Sequence, residues 1–114
     1  MSDSRFDAAA RLEELPDGAL LGVKVRGEPV CLVNVNDEIF AVSDVCTHAE
    51  FPIHEGFVTS GCQIECAWHG ATFDLRSGSV IRPPADEPLP AYEVRVRDGM
   101  IEVGPRKRAA ESVS

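Results

Sequence analysis

Four side chains with soft or borderline donor atoms stand in two short pairs, Cys46 with His48 and Cys66 with His69. Seventeen residues separate the pairs, and the stretch CTHAEFPIHEGFVTSGCQIECAWHG, residues 46–70, holds three of the four cysteines and all three histidines. A thiolate is a soft anion and a neutral imidazole a borderline, uncharged donor, so the quartet suits a thiophilic metal. The simplest occupant is a structural zinc ion. Zinc fingers, however, group their cysteines together and their histidines together. Here each segment supplies one of each.

The elements that must position these pairs read as strands. LLGVKVRG, PVCLVNVN and EIFAVSDV are rich in β-branched residues and are punctuated by Gly27, Pro29 and the Asn36-Asp37 pair. YEVRVRDGMIEVG puts Tyr92, Val94 and Val96 on one face and Glu93, Arg95 and Arg97 on the other, with Asp98-Gly99 as a hairpin signal. DAAARLEELPDG predicts a helix of two turns closed by Pro16 and Gly18. RPPADEPLPA, with Pro83, Pro84, Pro88 and Pro90, predicts a stiff surface loop. The expectation is an all-β fold of short antiparallel strands, packed as a sandwich or as sheets. The donor pairs sit in two inserted loops, the first starting at Cys46 just after a strand and the second at Cys66 after CQIE. One domain over residues 1–104 is predicted, with the loops at about 45–84 and a disordered tail over 105–114.

Bulk properties narrow the class. A chain of 114 residues, 44% hydrophobic and 26% charged, suits one globular domain. No apolar run approaches the roughly 20 residues that span a bilayer, so no membrane association is expected. The N-terminal stretch lacks a basic segment followed by an apolar one. A cytoplasmic setting follows, where clustered Cys and His more often mean metal than disulfide. A net charge of -8 argues against nucleic acid. Between Arg26 and Arg76 lie 49 residues without Lys or Arg, among them Glu28, Asp37, Glu38, Asp44, Glu50, Glu55, Glu65 and Asp74. This one-signed region is either a solvated face or a means of steering toward a basic partner.

The flanking residues favour iron. C-x-H followed by C-x-x-H, with Gly70 after the last donor, resembles the two cluster loops of Rieske [2Fe-2S] proteins, and CTH…CAWHGATFD carries the likeness. The resemblance extends from about Leu12 to Val103 and implies the all-β Rieske fold. In Rieske centres two His replace two Cys on one iron. The resemblance therefore implies that Cys46 and Cys66 hold the inner iron and that His48 and His69 hold the outer one. Such a cluster stores one electron.

Within that family, high-potential members resemble C-T-H-L-G-C…C-P-C-H-G-S-x-Y-D, where the extra cysteines form a disulfide. Phe51 and Trp68 stand at those positions here, so the bridge is not expected. Ala71 and Phe73 replace the Ser and Tyr whose hydroxyls bond the cluster sulfurs. Losing those bonds implies a potential nearer about -150 mV than +300 mV. The pattern is similar to the ferredoxin component of multicomponent aromatic-ring dioxygenases. That likeness implies a flavoprotein ferredoxin reductase, dependent on NAD(P)H, as donor, a terminal oxygenase as acceptor, and a monomeric carrier. A mononuclear iron site needs two His and a carboxylate, and only His54 is left over. G-x-G-x-x-G and P-loop patterns are absent as well, so the chain is expected not to be an enzyme. The alternatives are a small Rieske-like subunit of a nitrite reductase and a structural zinc module.

The remaining features read more plainly. His54 is expected to be a surface polar residue, with a docking or proton-coupled role as the sharper alternative. Cys31 and Cys62 are expected to be small buried apolar residues, Cys62 on the strand face of Ile64. Trp68 is read as a packing or docking residue, and Phe51, Pro52 and Pro83-Pro84 as a shield over the cluster. Gly70 and Gly78 are read as turn glycines.

Overall fold

The computed structural model describes residues 6–45, 52–59, 62–67, 71–82 and 88–107. Cys46, His48, Glu50, Phe51, Trp68, His69, Gly70, Pro83, Pro84 and the last seven residues lie outside them. Among the described residues, ten strands form two antiparallel sheets. They are β1 (Asp7–Arg11), β2 (Leu20–Val25), β3 (Glu28–Val35), β4 (Glu38–Ser43), β5 (Phe57–Thr59), β6 (Gln63–Glu65), β7 (Thr72–Asp74), β8 (Val80–Arg82), β9 (Ala91–Arg97) and β10 (Met100–Arg106). Six strands pair in the order β1-β10-β9-β4-β3-β2, and four in the order β5-β6-β7-β8.

Three two-residue turns set the register of the larger sheet. Arg26-Gly27, Asn36-Asp37 and Asp98-Gly99 all have positive φ at both positions, the type I′ geometry whose twist matches that of the flanking strands. They join Val25 to Glu28, Val35 to Glu38 and Arg97 to Met100 as direct partners. Asp17 and Asn34 brace the middle turn, their side-chain oxygens accepting from the N–H groups of Asn36 and Asp37. Arg26, in the first turn, ion-pairs with Asp7 on β1 and donates to the Gly104 carbonyl on β10. The two edges of the sheet are thereby drawn together, and it curls around its own core.

That core is Ala10, Leu15, Val25, Val30, Leu32, Ala41, Tyr92, Ile101 and Val103. Alternation along β3 and β4 turns Cys31, Val33, Phe40 and Val42 to the opposite side. There, together with Ala91 of β9, they meet Ile53, Ile64, Cys66, Ala71, Phe73, Leu75 and Leu89 from the smaller sheet and its connections. Both faces of β3 are therefore covered, which is why Val30 to Asn34 are buried without a break. At the surface the sheets are tied again: Arg76 lies over the Phe40 ring and 3.6 Å from Glu38, and Lys107 Nζ donates to the Arg76 carbonyl.

The all-β expectation holds, with four local corrections. Asp7–Arg11 is a strand rather than a helix, and only Leu12–Glu14 make a single 3-10 turn. Short alanine-rich stretches are marginal helices in water, and pairing with β10 satisfies their backbone groups instead. The tail does not begin at 105, because β10 runs through Arg106 and the Lys107 N–H donates to the Ala91 carbonyl. The proline-rich segment is not wholly a surface loop, since Leu89 is fully buried and Pro90 accepts from the Ser43 N–H. Cys62 lies in a turn at φ +60°, not on the face of β6, although its side chain still packs on the apolar cluster.

Candidate metal centre

Each donor pair is carried by a loop whose base is closed by hydrogen bonds. The second loop begins where β6 ends. Glu65 and Thr72 are partners across β6 and β7, and the Cys66 N–H donates to the Ala71 carbonyl at 2.7 Å. Cys66 and Ala71, the described ends of this loop, are thus held together. Cys66 is 1% exposed and Ala71 fully buried.

The first loop leaves β4 and returns at a 3-10 turn, Ile53–Glu55. Val45 and Pro52 form an isolated bridge, and the Ile53 N–H donates to the Asp44 carbonyl at 2.9 Å. One Asp44 carboxylate oxygen accepts from the His54 N–H at 2.7 Å, and the other lies 2.6 Å from His54 Nδ1. These contacts hold together the two described ends of the loop, residues 44–45 and 52–54.

The two bases share one wall. Ile53, just past the first loop, and Cys66 and Ala71, at the two ends of the second, belong to the same buried apolar cluster. Leu89, within the proline-rich segment, joins them. Its N–H donates to the Gly78 carbonyl at 2.7 Å. Gly78 has φ +82°, and a Cβ there would overlap the Leu89 carbonyl oxygen, so this turn requires glycine. The two loop bases and the proline-rich segment therefore share one apolar cluster, with Cys66 and Ala71 at one end of β6 and β7 and Leu89 bonded to the turn at the other.

Of the four predicted donors the structure describes Cys66 alone, and it stands at the mouth of its loop as expected. Among the described residues no three His, Cys, Asp or Glu side chains gather as a metal site. The donor chemistry nevertheless fits a [2Fe-2S] group with mixed ligation: two thiolates and two imidazoles, divided between loops rooted in a single apolar wall. Phe73 and Ala71 are fully buried beside Cys66 and offer no hydroxyl.

Cys31 is no rival donor. Burial, and then the negative charge of Asp44, push its thiol well above the usual range. His54 is not the plain surface residue expected, for its ring is bonded to a buried aspartate. Asp44 was missed as a structural element, because a lone acid in an acidic stretch gives no sign of burial. The only hint is its place at the end of the apolar run FAVS, two residues before Cys46.

Comparison with known proteins agrees with this geometry. The model of the Rieske [2Fe-2S] domain family matches residues 6–93. A biphenyl dioxygenase ferredoxin subunit from Pseudomonas sp. (strain KKS102) is 37% identical over 99 residues, which are 85% of this chain and 91% of that protein. The ferredoxin of carbazole 1,9a-dioxygenase from Nocardioides aromaticivorans IC177 superposes with a TM-score of 0.83 at 33% identity, over 88% of this chain and 97% of that one. A chain in a complex of reduced oxygenase and oxidized ferredoxin in carbazole 1,9a-dioxygenase gives the same TM-score at 28% identity, over 92% of this chain and 98% of that chain.

Proposed function

The chain belongs to the Rieske [2Fe-2S] domain family, and from that premise we propose that it is the ferredoxin component of an aromatic-ring dioxygenase system. It carries one Rieske-type cluster and transfers electrons rather than transforming a substrate. The cluster supplies one-electron storage. We assign Cys46 and Cys66 to the inner iron and His48 and His69 to the outer one. The observation that carries this assignment is the shared wall: Ile53, Cys66, Ala71 and Leu89 root both donor loops and the proline-rich segment in one apolar cluster. Such a wall would keep water from the side of a cluster that rests on it.

In this reading a flavoprotein ferredoxin reductase using NAD(P)H delivers electrons singly, and a terminal oxygenase receives them. The ferredoxin names of the relatives and the oxygenase–ferredoxin complex support that pairing. The carrier works as a cytoplasmic monomer; among the described residues no helix is long and apolar enough to cross a membrane. Ala71 and Phe73, buried and without hydroxyls, support a potential at the low end of the Rieske range, near about -150 mV.

The test is EPR of the dithionite-reduced protein with iron and zinc assays on the same sample, followed by reconstitution with a reductase and an aromatic dioxygenase. A rhombic Rieske signal, two irons per chain and restored dioxygenase turnover are expected. A signal without turnover would keep the cluster and remove the proposed partners. One zinc per chain and no signal would remove both.

A further inference from the structure

Asp44 uses every polar group it has. Its N–H donates to the Pro29 carbonyl at 3.1 Å, its carbonyl accepts from Ile53, and its two carboxylate oxygens engage the His54 N–H and Nδ1. The carboxylate is 9% exposed, while the His54 ring is 38% exposed. With Nδ1 turned to Asp44, the ring keeps its other edge toward solvent.

The space for this pair is made by Gly22. Gly22 lies on β2 directly opposite Cys31 on β3. A Cβ at Gly22 would stand 2.6 Å from His54 Nδ1, 2.9 Å from Cε1 and 3.0 Å from the Asp44 carboxylate. The imidazole–carboxylate pair is therefore seated in a slot in the larger sheet that only glycine leaves open. Asp44 and His54 stand on opposite sides of the loop spanning 46–51, so their contact joins the strand that enters the loop to the turn that leaves it. Backbone contacts alone, the Val45–Pro52 bridge and the bond from Ile53, would leave that base with neutral hydrogen bonds only. Bonds to an ionised carboxylate are about twice as strong.

We propose that Asp44 and His54, seated over Gly22, are positioning residues for the first donor loop, and that their clamp sets how firmly Cys46 and His48 hold the cluster. The proposal rests on the ligand assignment made above. His54 acts through the loop and not as a ligand, its Nδ1 being already engaged.

The experiment follows iron release from the holoprotein to a chelator, alongside its EPR g-values and melting temperature. Unsubstituted protein comes first: without iron, the ligand assignment fails and the clamp with it, before any variant is made. With iron present, His54→Ala is expected to release it about tenfold faster, the change that losing one bond to a charged group brings, and to shift the g-values. His54→Asn places an amide N–H where Nδ1 stands and should restore slow release. His54→Gln, whose amide reaches the remote ring position instead, should not. Gly22→Ala, which displaces the ring, should match His54→Ala. Ile101→Val, in the other core, should lower the melting temperature by roughly 5 °C with release and g-values unchanged. Release from His54→Ala at the unsubstituted rate with unaltered g-values would overturn the proposal. So would release that merely follows melting temperature on one line with Ile101→Val.

Discussion

The two sheets are built on opposite economies of length. The larger has strands of five to eight residues, three of its connections are two-residue turns, and it encloses a core of its own. The smaller has four strands of three residues each, and its apolar side chains are completed by β3 and β4 of the larger sheet. Three-residue strands make few ladder bonds, and an isolated sheet of that size is marginal in water. The larger sheet is thus the folding unit, and the smaller one is a platform attached to it. With strands this short, connections make up more of the platform's chain than strands do. The connection into β5 and the one between β6 and β7 carry the proposed donors.

The largest effect expected from breaking this division is at Cys66. Cys66→Ala should abolish bound iron while costing no more than about 1.5 kcal/mol of unfolding free energy, since a small apolar side chain still fills the cluster. An iron assay with a urea titration checks both halves. Loss of cooperative unfolding together with the iron would mean that the platform and the folding unit are not separable.

A matched pair of cavities sharpens the contrast. Phe73 and Ile101 are both fully buried, one in each core. Phe73→Ala should cost about 3–5 kcal/mol and Ile101→Ala about 2–5 kcal/mol. Only the first should also speed the loss of cluster absorbance in mild denaturant. Equal loss in the two variants would show that the cores act as one. The smallest effect is electronic. Ala71→Ser should raise the reduction potential by about 40 mV, the equivalent of one net hydrogen bond for a one-electron couple, and leave the stability of either sheet nearly unchanged. Potentiometric titration followed by EPR measures it, and an unmoved potential would place residue 71 out of reach of the sulfurs.

Local chemistry made much of this architecture legible. Asn36-Asp37 and Asp98-Gly99 announce their turns because positive φ at two successive positions admits few residue types. The spacing of Cys46, His48, Cys66 and His69 announces the family, because donor type and loop length are both written in the chain. Asp7–Arg11 was misread because alanine favours helix wherever nothing else competes, and the competitor, β10, lies some 90 residues away. The Asp44–His54 pair was invisible for the same reason. It joins two residues ten apart through a gap at Gly22, and no periodicity connects the three.

The doubly covered strand β3 has one further consequence. Val30 and Leu32 look into the curled sheet, whereas Cys31 and Val33 look toward the platform. Neighbours in the chain are therefore witnesses to different rooms. A paramagnetic centre held above the platform would broaden the methyl resonances of Val33 and Val42 and leave those of Val30 and Leu32 comparatively sharp. The thickness of a single strand is the partition between a compartment that sees each electron arrive and one insulated from it.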